Sequence, residues 1–115
     1  MPIEAVDFER ADFMLLAAGG NAMCLSWYMA VSWEPVTIAV SIAKKRYTHI
    51  LVLKEMKFTI GEVLMPKEAE QIFGKTSGRV MKKPPINDYT IWMTDFRVTH
   101  VHDCGDHTLF VGEMI

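Results

Sequence analysis

The sequence has no surplus of basic residues. Twelve Lys and Arg stand against fourteen Asp and Glu, for a formal net charge of −2. A general nucleic-acid binder carries a basic excess, so no nucleic-acid partner is expected. Cysteine is scarce. Cys24 and Cys104 cannot make a disulfide framework and are expected to be reduced thiols in a cytoplasmic protein. A cationic segment followed by an apolar one is missing at the N-terminus, so no secretion signal is expected. Charge is absent altogether from Phe13 to Trp33. A run of that length could cross a membrane as a helix. Gly19-Gly20-Asn21 interrupts it with a turn signal, however, and the flanks are short. Two buried strands joined by a turn are expected there, with no membrane partner. Internal repeats and low-complexity segments are also missing.

What the sequence does have is apolar content. Half of the 115 residues are hydrophobic, enough for a core in one domain spanning 1–115. A domain this small buries a modest fraction of its surface, and dimerisation is a natural way to bury more. Large apolar side chains crowd one region, at Trp27, Tyr28, Met29 and Trp33, which points to a homodimer. Nine methionines are expected to act mainly as core filling.

Strand signals dominate. Phe13 to Ala18 and Ala22 to Ser32 read as buried strands. Val36 to Ile42 is β-branched and bounded by Glu34-Pro35 and a basic run. Tyr47 to Glu55 fits a short helix with Ile50, Leu51 and the Lys54 stem inward. Met56 to Ile60 is a strand closed by Gly61. Pro66 to Phe73 is helical, with Pro in the first turn and Gly74 past the end. Residues 74–88 read as loop, Tyr89 to Asp103 as a long strand, and His107 to Glu113 as a strand after a turn at Cys104-Gly105-Asp106. Six strands and two short helices make a mainly β protein. A compact antiparallel barrel would remove the exposed edges.

Two segments could hold an anion. In Ser41 to His49, the cations Lys44, Lys45 and Arg46 fall where a helix begins. Cations are unfavourable at the positive end of a helix dipole, and a bound anion reverses that. Backbone N–H groups, the Thr48 hydroxyl and a guanidinium could together cradle a phosphate. The alternative is a solvated loop. A second cluster, Gly74-Lys75-Thr76-Ser77-Gly78-Arg79 with Lys82-Lys83, has glycines that permit close backbone approach, but its spacing is not that of a P-loop.

At these residues a resemblance enters. Asn21-Ala22-Met23-Cys24-Leu25-Ser26-Trp27 resembles the N-x-M-T-x-S-W strand of the flavin reductase-like (flavoredoxin) family. Trp33-Glu34-Pro35 and the strand after it resemble that family's P-P-x-x-x-V-S-I segment. Arg46-Tyr47-Thr48-His49 resembles its R-Y-T-H helix start, and Lys75 to Arg79 its G-T-x-S-G-R loop. His107 to Glu113 is similar to its H-T-L-F-V-G-E strand. The ordered set covers most of residues 12–113.

The resemblance implies an FMN-binding split β-barrel, a non-covalent FMN cofactor and a homodimer with flavin near the interface. It implies NADH or NADPH as electron donor and an electron acceptor whose identity it leaves open. By position, Asn21, Met23, Cys24, Ser26 and Trp27 would line the flavin ring and ribityl chain. Ser41, Arg46 and Thr48 would hold the phosphate, and Ser77, Arg79 and Lys83 would close over the flavin. His107 would be the catalytic residue, beside the flavin where a nicotinamide docks. The chain departs from the pattern in four ways. Cys24 stands where the family has Thr, the turn before Asn21 is clipped, the stretch from Arg79 to Tyr89 is short, and the barrel is expected to be shortened at its C-terminal end.

Three other readings compete. His100 and His102 alternate onto one strand face with Phe96 and Val98, and with His107 they could bind zinc. The family resemblance argues against it, and no metal is expected. The other two are a non-catalytic flavin-binding module and a split barrel that has lost flavin.

Overall fold

The computed structural model describes residues 13–74 and 84–115. Among these described residues, seven strands and two α-helices follow in order. They are β1 (Met14–Ala18), β2 (Asn21–Leu25), β3 (Tyr28–Trp33), β4 (Val36–Ala43), α1 (Tyr47–Glu55), β5 (Lys57–Val63), α2 (Pro66–Phe73), β6 (Thr90–Cys104) and β7 (His107–Met114), with a 3₁₀ turn at Ile86–Tyr89.

All strands belong to one antiparallel sheet of order β2-β1-β5-β6-β7-β4-β3. Its two outer strands, β2 and β3, are joined in sequence by only Ser26 and Trp27. From Leu25 to Tyr28 is three Cα steps, at most about 11 Å, so the sheet must curl until its edges approach. The result is a split barrel, mainly β, as expected. The charge-free stretch is therefore strand, and among the described residues no helix is long and apolar enough to cross a membrane.

Where one strand was expected over Ala22–Ser32 there are two. The chain leaves one edge at Leu25 and enters the other at Tyr28. A continuous apolar run conceals this break, since both pieces face the same core. The β1–β2 hairpin turns at Gly19 and Gly20, with φ of 54° and 81°. Positive φ at both central positions is the type I′ pattern, which glycine adopts without steric cost.

The barrel interior packs Leu16, Met23, Ile38, Val40, Ile42, Phe58, Ile60, Phe96 and Phe110. A second cluster joins Leu15, Ala22 and Val63 to Ala69 and Phe73 of α2 and to Ile86. Strand β1 is thus covered on both faces, which explains its unbroken apolar run.

Helix α2 has Pro66 in its first turn and Gly74 at its C-cap, as expected. Helix α1 spans the expected residues but buries Thr48, His49, Leu51 and Val52, while Ile50 is 56% exposed. The segment is apolar nearly all round, so its sequence gives the inward face poorly. Methionine also departs from expectation. Met14 and Met23 are in the core, but Met29, Met56, Met65 and Met93 are exposed.

Candidate functional site

A cleft of about 270 Å³ opens where the two sheet edges approach. Met23, Cys24 and Leu25 of β2, the Ser26-Trp27 link, Ser41 and Ala43 of β4, Lys45, Arg46 and His107 line it. The link is pinned by the Ser41 N–H, which donates to the Trp27 carbonyl at 2.9 Å. One crossing of the sheet gap therefore brings distant residues together.

The cation run divides its work. Lys44 Nζ lies 2.6 Å from Asp103 Oδ1 at the tip of the β6–β7 hairpin. The Lys44 N–H also donates to the Asp106 carbonyl at 2.9 Å. Lys45 and Arg46 are left to the cleft. Arg46 is the N-cap of α1, in extended conformation, and makes no side-chain capping hydrogen bond. No acidic residue occupies the first turn of the helix. Burial pulls the Arg46 guanidinium below its ordinary pKa, with the nearby Cys24 acting the other way. Arginine starts so high that the group stays cationic. A half-buried cation at a helix N-terminus is a preorganised place for an anion.

Opposite it, the Trp27 and His107 rings stack, with centroids 4.4 Å apart and planes 20° from parallel. His107 Nδ1 lies 2.7 Å from Asp106 Oδ1. The hydrogen bond to His107 holds the Asp106 carboxyl below its usual pKa, so it is ionised and can only accept. Nδ1 therefore carries a proton. The imidazole is fixed by a ring on its face and a carboxylate at its edge.

Of the residues singled out in sequence, the cleft gathers Met23, Cys24, Ser26, Trp27, Ser41, Arg46 and His107. Thr48 is buried and does not line it. Asn21 lines a different cleft of about 280 Å³, with Thr59, Met93, Asp95 and Pro84 to Asn87. The Asn21 Oδ1 there is buried with no hydrogen-bond partner among the described residues. Ser77, Arg79 and Lys83 lie outside the described residues.

Lys45 lines the cleft as the cation run suggested, whereas Leu25, Ala43 and Asp106 were not singled out as site residues. Asp106 could have been found from its place next to His107. Leu25 and Ala43 carry no chemical signal of their own. Neither cysteine forms a disulfide among the described residues; Cys24 is half-buried, with its Sγ 3.8 Å from the Ala69 carbonyl, and Cys104 is exposed.

The histidine pair differs from its expected placement. A β-bulge between Val98 and His100 shifts the register, so His100 opposes Val111 and His102 opposes Leu109. The extra residue flips the alternation. His100 and His102 therefore lie away from the core face of Phe96 and Val98 and are exposed. Their rings are parallel with centroids 6.3 Å apart. Among the described residues no group of three or more His, Cys, Asp or Glu could hold a metal ion.

Comparison with known proteins adds lineage to this geometry. Residues 13–115 match the flavin reductase like domain. An uncharacterised protein of Pyrococcus abyssi is 30% identical over 110 residues, covering 83% of this chain and 63% of that protein. A high molecular weight rubredoxin of Moorella thermoacetica is 27% identical, and the match covers 47% of it. The chain thus spans less than two thirds of the length of these relatives. Among solved structures, an FMN-binding protein from Thermus thermophilus with bound p-hydroxybenzaldehyde superposes with a TM-score of 0.78 at 26% identity. That match covers 90% of this chain and 68% of that one. Flavoredoxin from Methanosarcina acetivorans has the same fold, with a TM-score of 0.78 at 23% identity over 90% of this chain and 65% of that one. With the domain match running through every described strand, the chain belongs to the flavin reductase-like family.

Proposed function

We propose that this chain binds FMN and takes part in electron transfer from NADH or NADPH, in the manner of a flavin reductase or flavoredoxin. The observation that carries this is the cleft itself. It brings Ser41 of β4 together with Lys45 and Arg46 at the start of α1, in one cleft with a Trp27–His107 stack. The donor set fits the cofactor. A guanidinium, an ammonium, a hydroxyl and helix N–H groups suit a phosphate, and flat rings suit a flavin. The family membership and the FMN-binding relative from Thermus thermophilus support the same reading.

When bound, FMN supplies the hydride-accepting and electron-carrying chemistry. The chain's residues bind and orient. Arg46 and Lys45 anchor the phosphate, Ser41 donates its hydroxyl, and Trp27 gives an apolar face. His107 offers its remaining ring nitrogen to flavin or nicotinamide. No general acid or base is required for hydride transfer.

A cleft of about 270 Å³ lies just below the ~300–1,000 Å³ of small-ligand sites. That favours a site completed by a second copy of the chain. Trp27 and Met29, 61% and 63% exposed beside the β3 edge, are the surface for it.

The test is a titration of apo protein with FMN and riboflavin, followed by fluorescence quenching. Preference for FMN is expected. Equal affinity means that no phosphate site exists. Anaerobic addition of NADH and NADPH to the FMN complex then separates reductase from carrier, since bleaching of the flavin absorbance is expected of the former alone.

A further inference from the structure

Arg46 opens α1 and His107 opens β7, and behind both lies a buried polar pair. His49 Nε2 is 2.6 Å from Thr108 Oγ1. His49 is 7% exposed and Thr108 4%. The His49 ring also meets Phe110 edge-on, with centroids 5.6 Å apart. An imidazole and a hydroxyl buried in a core are costly unless bonded to each other. Apolar side chains would fill the same space with less at stake.

The placement in the chain is informative. His49 lies three residues after Arg46, and its N–H donates to the Arg46 carbonyl at 3.1 Å. Thr108 directly follows His107. One continuous path therefore runs from the Arg46 backbone through His49 and Thr108 to His107. Leu51 and Val52 hold the next turn of α1 by apolar burial, which is non-directional. The His49 bond is directional and sits in the turn that carries Arg46. Burial, and next the Lys44 charge, hold the imidazole below its usual pKa, so a neutral ring makes this contact.

We infer that His49 and Thr108 form a strut that sets the spacing between Arg46 and His107, making His49 a positioning residue for the phosphate side of the cleft. This rests on the phosphate reading given above. His49 acts through Arg46 and does not touch the ligand.

The experiment compares Thr108→Val and Thr108→Ser with the unaltered protein. Affinities for FMN and for riboflavin are measured, together with hydrogen exchange at the His49, Ile50 and Leu51 amides without ligand. Losing one neutral hydrogen bond predicts that Thr108→Val weakens FMN about 2- to 10-fold, leaves riboflavin within about twofold, and speeds exchange in the first turn of α1. Thr108→Ser, which keeps a hydroxyl, restores all three. If Thr108→Val alone fails to fold, the pair His49→Leu with Thr108→Val removes both polar partners, and the FMN-to-riboflavin ratio is read from it. An unaltered protein without FMN preference defeats the phosphate reading, and the strut with it. An unaltered protein that prefers FMN, beside a variant that keeps the full preference or loses both ligands equally, defeats the strut alone.

Discussion

Replacing Arg46 with Ala removes a half-buried guanidinium from the N-cap of α1. Its burial already lowers its pKa, so part of its desolvation is met by the folded protein before any ligand arrives. A hydrogen bond to a charged group contributes about 1.5–3 kcal/mol. At about 1.4 kcal/mol per decade, FMN affinity should fall roughly 10- to 150-fold. Lys45 and the helix N-terminus remain, so the loss is not total. Riboflavin lacks the phosphate and should bind nearly as before. Fluorescence titration of both ligands gives the ratio directly, and a thermal melt of apo protein controls for folding. Arg46→Lys should fall between, since an ammonium keeps the charge but not the planar fork. Equal losses for both flavins would falsify the phosphate assignment. A collapse of the apo melt would show that Arg46 is structural instead.

His107→Ala should slow flavin reduction by nicotinamide while FMN affinity changes little, and the double change of His100 and His102 to Gln should alter neither. One equivalent of zinc lost on that double change would instead revive the metal reading. Gly112→Ala should destabilise the fold by about 1–3 kcal/mol, read as a lower urea midpoint. A Cβ there would lie 2.8 Å from Phe58 Cζ and 3.1 Å from Phe96 Cβ, inside the core. His49 should make stability depend on pH. Its folded pKa is lowered from 6.5, so its contribution is whole above that value and is lost as pH falls through the lowered one. His49→Gln should flatten that part of the urea-midpoint profile, and an unchanged slope refutes the assignment. Light scattering at micromolar concentration should give a homodimer, and Trp27→Glu with Met29→Glu should shift it toward monomer.

The strands and both helices were legible because their signals are local. β-branched runs, Gly19-Gly20, and Pro66 with Gly74 act within a few residues of themselves. Family motifs named Trp27, Arg46 and His107 for the same reason, as residue types at short fixed spacing. The relations between those segments were not legible. The break at Ser26-Trp27 separates two apolar strands that look like one, and only the sheet order shows that they sit at opposite edges. The bulge after Val98 turns His100 and His102 away from the core face, because one unpaired residue inverts every side chain beyond it. The face that α1 buries was equally hidden, since an apolar helix has no preferred side until a sheet supplies one. The sequence by itself determined the strand content, the cation run and most of the residues that line the cleft. Tertiary structure alone decided that Lys44 is taken by Asp103 while Arg46 stays in the cleft, that Asn21 lies in another, and that His49 reaches Thr108 across the core. Those outcomes depend on strand register and barrel closure, which place residues 59 positions apart within a hydrogen bond of each other.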